Sequence, residues 1–134
     1  MAYRFLSKEW AAEVRNQLEA SRSFQAKIRG ANARIVSTIT EPPGGGSWVF
    51  EQVIADGALK KLEVRSGTEA AGDALLRVQG SYEAFARLNR GELTLMKALL
   101  DGSVKVQGDL SKAMPYAPAI LQYHEIARSI KTVY

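Results

Sequence analysis

His124 is the only histidine in the chain, and histidine is the side chain most often used to move a proton near neutral pH. Acid–base work there would need an orienting carboxylate or a nucleophile beside it, and metal binding would need further ligands at matching spacing. Neither accompanies it. His124 therefore reads as a packed or half-exposed helix residue. Ser81 carries a hydroxyl, but it stands immediately before the helix-like run Tyr82 to Asn89, where serine serves as a cap. Gly44-Gly45-Gly46 suggests a phosphate loop, yet no Lys-Ser/Thr follows, and a β-rich run stands where a phosphate-binding helix would start. There is no cysteine, so disulfides and thiolate metal sites are excluded. No catalytic residue, metal site or cofactor is expected, and the chain is read as a non-enzyme.

If the polar residues hold no chemistry, function is expected in the interior, and the elements that enclose it come next. Gly72 to Asp109 reads as strand, helix pair, strand: apolar runs at Leu75 to Val78 and Val104 to Val106 bracket two helical pieces, with glycines at the joints. The first piece runs from Tyr82 to Asn89 behind the Ser81 cap, and the second from Leu93 to Leu100. Upstream, Ser7 to about Arg29 is one long amphipathic helix, capped by Ser7, with Trp10, Val14 and Leu18 at helical spacing and Gly30 as its stop. Phe24 and Ile28 continue its stripe with some rotation of the face.

Ala33 to Thr40 alternates and is β-branched, so it reads as a strand. Ser47 to Ile54 and Leu59 to Val64 form a hairpin about Asp56-Gly57, a pair suited to a type I′ turn. Trp48, Phe50, Gln52 and Ile54 share one face of the first hairpin strand. Ser66 to Asp73 is small and polar and reads as a loop. Past the strand Ser103 to Gln107, a helical pattern runs from Leu110 to about Val133, interrupted at Pro115 and Pro118. In it Met114, Ala117, Ile120, Leu121, His124, Ala127 and Ile130 are expected to face inward.

At 134 residues, 46% hydrophobic and 24% charged, residues 1–134 read as one globular domain with one core. No apolar run approaches the roughly 20 residues that span a bilayer, and the first residues lack a secretory pattern, so a cytoplasmic location is expected. The net charge is +4 and the pI near 9.5. The basic residues (among them Arg22, Lys27, Arg34, Lys61 and Arg65) are scattered among acids rather than gathered beside a recognition motif. Nucleic acid is not an expected partner. Transient contact with an anionic membrane surface is a minor expectation.

With Asp73, Leu76 and Val78 on one strand, an aromatic-centred helix at Phe85, then Gly91-Glu92-Leu93, Ala98 and Gly102-x-Val104-Lys105-Val106-x-Gly108-Asp109, the chain resembles the sterol carrier protein domain family. The likeness is best from Asp73 to Met114, and the order of upstream elements follows the same plan. It implies an α+β fold: a five-stranded, mainly antiparallel sheet covered by helices on one face, with an apolar tunnel for a fatty acyl chain, sterol or similar lipid. It implies no catalytic residues. Carried over by position, the family's tunnel lining falls on Phe50, Leu99, Leu100, Met114 and Ala117. Strand alternation adds Trp48, and helical spacing adds Met96, Ile120 and Leu121. Met96 and Met114 suit a variable ligand because methionine is unbranched and polarizable.

The Glu41 to Gly46 loop and the final helix depart from the family pattern, and that helix is expected either to close the tunnel or to cover a homodimer face. The expected function is non-enzymatic lipid binding and intracellular transfer. The alternative is an accessory or oligomerisation module beside a lipid- or quinone-pathway enzyme, with the pocket filled.

Overall fold

The architecture is that of a computed structural model describing residues 2–67 and 72–134. In chain order the elements are β1 (Tyr3–Arg4), α1 (Lys8–Ala20), α2 (Arg22–Lys27), β2 (Ala33–Thr40), β3 (Ser47–Ala55), β4 (Ala58–Ser66) and β5 (Leu76–Ser81). They continue with α3 (Tyr82–Arg90), α4 (Leu95–Asp101), β6 (Val104–Gly108), α5 (Leu110–Ala113), a 3₁₀ turn over Met114–Tyr116, α6 (Ala117–Ser129) and β7 (Thr132–Val133). The loop expected from Ser66 to Asp73 lies partly outside the described residues.

Strands β2 to β6 form one sheet in the order β4-β3-β2-β5-β6. Three of its pairings are antiparallel, and the central β2–β5 pairing is parallel, with Ile35 opposite Leu76 and Ile39 opposite Gly80. The sheet is thus mainly antiparallel but mixed. The parallel step arises because the chain leaves β4 at one edge and returns on the far side of β2, and parallel neighbours need such a crossover.

The Asp56-Gly57 hairpin forms as expected, with φ of 51° and 76° at its two central residues. Its tip is tied down: Gly57 N donates to Ala31 O at 3.0 Å, and Asp56 N to Asn32 Oδ1 at 3.0 Å. Strand and helix coverage follow from alternation. One face carries Ile39 and Phe50 into a core with Trp10, Val14, Leu18 and Ile28. The other carries Glu51, only 4% exposed, with Arg34 at 2.6 Å, Arg65 at 2.9 Å and Lys61 at 3.4 Å. Burial raises the Glu51 pKa, but the hydrogen bonds from Arg34 and Arg65 and the nearby positive charges outweigh it and hold the carboxyl at about 2.

Two helix expectations are corrected. The single helix from Ser7 to Arg29 is broken at Ser21, whose backbone is extended (φ −85°, ψ 107°) and whose hydroxyl accepts from Phe24 N to cap α2. That serine resets the helix axis, which is why the apolar stripe rotates between Leu18 and Phe24. The last helix does not reach Val133. It ends at Ser129, and the chain turns extended at Ile130 so that β7 can pair in parallel with β1, Tyr3 opposite Thr132. Tyr134 is thereby delivered to Phe5, ring centroids 5.1 Å apart, and its hydroxyl accepts from Asn89 Nδ2 at 2.6 Å.

Candidate functional site

Between the helices and the sheet lies a cavity of about 160 Å³. Its floor is the inner face of the sheet, where two-residue alternation places Ile35 and Ser37 of β2 beside Phe50, Gln52 and Ile54 of β3, with Leu62, Leu76 and Val78 on the flanking strands. Trp10 and Leu18 of α1 and Phe24 and Ile28 of α2 make one wall, and Phe85, Leu88 and Asn89 of α3 another. The remaining wall is Tyr116 with Ala119, Ile120, Tyr123 and His124 of α6. Leu95, an exposed leucine at the start of α4, also borders it.

Among the described residues no lysine, arginine, aspartate or glutamate lines this space. Its polar groups are neutral. Burial, and to a smaller extent the charge of Arg128 on the same helix, lowers the His124 pKa to about 4, so the imidazole is uncharged at neutral pH. Its ring meets that of Tyr123 edge-on with centroids 5.1 Å apart. Burial raises the Tyr123 phenol pKa, while a hydrogen bond with the Gln52 side chain works the other way. The Trp10 indole Nε1–H is fully buried and has no hydrogen-bond partner among the described residues. Such a space can hold an apolar molecule, and it offers a few uncharged donors and acceptors and no ionic anchor. Among the described residues no group of three or more His, Asp or Glu side chains is placed to hold a metal ion, and no helix is long and apolar enough to cross a membrane.

Of the nine residues expected at the site, Phe50 and Ile120 line the cavity. Trp48 does not; it lies one strand step away, stacked edge-on with Tyr82 at 5.8 Å. Met96, Leu99, Leu100, Met114, Ala117 and Leu121 lie at the surface, with Leu100 81% and Met114 72% exposed. The reason is helix phase. Thr94 caps α4, its hydroxyl accepting from Lys97 N, so the helix begins at Leu95 and turns Ala98 inward instead of Met96. The 3₁₀ turn at Met114–Tyr116 likewise resets α6, which turns Ala119, Tyr123 and Ala127 toward the interior.

Spacing alone missed Trp10, Ser37, Gln52 and Tyr123. Ser37 and Gln52 carry a readable signal: each is a polar residue on the apolar face of an alternating strand, where a hydroxyl or amide is out of place in a filled core.

The fold matches solved structures well. A crystal structure of sterol carrier protein 2 superposes with a TM-score of 0.79 at 16% identity, covering 95% of this chain and 99% of that one. A conserved hypothetical protein of Thermus Thermophilus, described as possibly sterol carrier protein, gives 0.78 at 15% identity, covering 98% and 93%. The ubiquinone synthesis protein UbiJ-SCP2 gives 0.55 at 16%, covering 87% and 90%. No curated protein sequence matches significantly. The model of the SCP-2 sterol transfer family matches residues 14–120, and with four-fifths of its length accounted for, the chain belongs to that family.

Proposed function

We propose that the chain binds a lipid (a fatty acyl chain, sterol or similar hydrophobic molecule) without catalysing a reaction, and exchanges it with membranes inside the cell. The observation that carries this reading is the apolar cavity beneath the helices, lined among the described residues by no charged side chain. Burying one methylene is worth about 0.8 kcal/mol, so a chain of about 16 carbons has roughly 12 kcal/mol of gross driving force. A bilayer offers the same term. A carrier therefore needs only to match the membrane closely, which a neutral apolar cavity does.

The volume of about 160 Å³ is close to that of an engineered cavity, about 150 Å³, known to hold benzene. A long chain must then spread the helices or emerge past the exposed Leu95. Under this reading Phe50 and Ile120 grip the inner end. Met96, Leu99 and Leu100, which continue α4 beyond Leu95, and Met114, Ala117 and Leu121, which flank Tyr116 and Ile120, cover the emerging part or touch the bilayer. Trp48 braces the sheet behind Phe50. Lys97 and Lys112 stand among these apolar residues and suit an anionic membrane surface.

The test is extraction of lipid from protein purified without detergent, read by mass spectrometry, with displacement of a fluorescent fatty acyl probe. Absence of both at micromolar protein would remove the proposal.

A second reading has its own observation. Met96, Leu100, Leu110, Met114 and Leu121 are exposed on α4, α5 and α6 and the turn between the last two, which suits an accessory or homodimerising module, and one structural neighbour is a ubiquinone synthesis protein. Sedimentation showing a stable dimer, or co-purification of an enzyme, together with no lipid uptake would favour this reading.

A further inference from the structure

We propose that the free edge of β6 is a self-association surface, on which two copies of the chain pair their β6 strands antiparallel about a two-fold axis and continue the sheet from one copy into the other. The proposal rests on the second reading above, that of a self-associating module, and names its surface.

The sheet has two edges, β4 and β6. A row of unpaired backbone groups at an edge recruits another chain unless charge or a covering element blunts it. β4 is guarded in both ways. Arg15 of α1 donates from Nη2 to Leu59 O and Lys60 O at 3.3 Å each, and Lys60, Lys61, Glu63 and Arg65 load the strand with charge. β6 has neither guard. Beyond its ladder with β5, no backbone N–H or C=O from Val104 to Gln107 makes a hydrogen bond among the described residues. Its only charged side chain is Lys105, and Lys105 and Gln107 are both exposed.

The flanks of β6 are what point to a second copy. Antiparallel pairing brings the turn that enters the strand in one copy to the turn that leaves it in the other. The entering turn carries Leu100, 81% exposed, and Asp101; the leaving turn carries Leu110, 57% exposed, and Lys112. Leucine thus meets leucine, and carboxylate meets ammonium. Asp101 and Lys112 are exposed, and neither forms a salt bridge among the described residues. Asp109 stands at the leaving end as well, with its Oδ1 already accepting from Ser111 Oγ and Lys112 N. A two-fold axis makes each match twice.

Side-chain alternation limits the register. An axis through Val106 sets Lys105 opposite Gln107 of the second copy, and one through Gln107 sets it opposite Asp109. An axis through Lys105 itself opposes two ammonium groups and is disfavoured. No residue of β6 is among those lining the apolar cavity, so the pairing neither requires nor blocks a bound lipid.

The test is sedimentation velocity of the full chain over a range of concentrations. A monomer–dimer equilibrium with a dissociation constant of about 10–100 µM is expected, as suits a small, transient interface. Gln107→Lys, at an exposed position, opposes ammonium groups in both favoured registers and should weaken the dimer at least about tenfold; Leu110→Glu should do the same. Asp101→Lys and Lys112→Asp should each weaken it about fivefold, and the double variant should regain the parent affinity. Hydrogen exchange of the β6 amides should slow as the dimer forms. A dimer that withstands both Gln107→Lys and Leu110→Glu, with β6 exchange unchanged, keeps self-association and overturns this surface. A chain that stays monomeric up to about 500 µM removes self-association and the proposal together.

Discussion

Trp10 of α1 and Phe50 of β3 meet edge-on across the helix–sheet interface, ring centroids 6.0 Å apart at 66°. Phe5 extends the contact, 5.1 Å from Trp10 and 5.1 Å from Tyr134, so one aromatic cluster joins the sheet, the first helix and the C-terminal residue. Because Phe50 also forms cavity wall, stability and binding share this side chain. Phe50→Ala is expected to lower unfolding free energy by about 3 kcal/mol, measured by urea denaturation, and Phe50→Leu by distinctly less.

Filling the cavity separates binding from folding. Ile120 is half-buried and lines the space, so Ile120→Trp can project bulk into the void. We expect lipid or dye affinity to fall by at least about tenfold, with a thermal midpoint within a few degrees of the parent by differential scanning calorimetry. Unaltered affinity would place the ligand elsewhere.

Acid should destabilise the protein in two steps. His124 titrates at about 4 in the fold against 6.5 when free, so the unfolded chain takes up its proton first, and stability falls as pH drops from about 6.5 to about 4. Glu51 titrates at about 2 against 4.5; its contribution is complete above about 4.5 and is lost as pH falls toward 2. Each step has an upper bound of about 3 kcal/mol. In thermal melts over this range, His124→Gln should flatten the first step and Glu51→Gln the second.

The hairpin tip tolerates no side chain at Gly57. A Cβ there would come within 2.6 Å of Gly30 N, with φ already at +76°. Gly44 also has positive φ (+91°) but open space around it. Gly44→Ala should cost about 1 kcal/mol from backbone strain alone, and Gly57→Ala about 2–4 kcal/mol. Chemical denaturation of the two variants side by side gives the comparison.

The exposed apolar side chains of α4 and of the turn before α6 offer a test of exchange with membranes. Leu100→Glu and Met114→Glu, at 81% and 72% exposure, should leave binding of soluble dye unchanged and slow lipid transfer between anionic vesicles about tenfold, read by fluorescence dequenching. Equal transfer rates would assign these residues to another partner.

Features governed by neighbours in the chain were legible in the sequence. Alternation marked β2, β3 and β4; Asp56-Gly57 marked the turn; Ser7 and Ser81 marked helix starts, their hydroxyls accepting from Trp10 N and Ala84 N at 3.1 Å each. These rest on backbone preference and two-residue or helical periodicity, which need no partner. The motif residues from Asp73 to Met114 carried the family as well.

Where each helix begins in its register was decided only by the tertiary structure. The Thr94 cap and the 3₁₀ turn before Ala117 rotate α4 and α6 so that Ala98, Ala119 and Tyr123 face inward while Met96, Leu100, Met114 and Leu121 face out. A shift of one residue turns a helix face by about 100°, and an apolar stripe wider than that gives spacing nothing to choose by. The parallel β2–β5 pairing, the β1–β7 contact and the Trp10–Phe50 ring contact likewise depend on residues far apart in the chain meeting in space. Local pattern determined which segments are strand and helix; only packing determined which side chains surround a void.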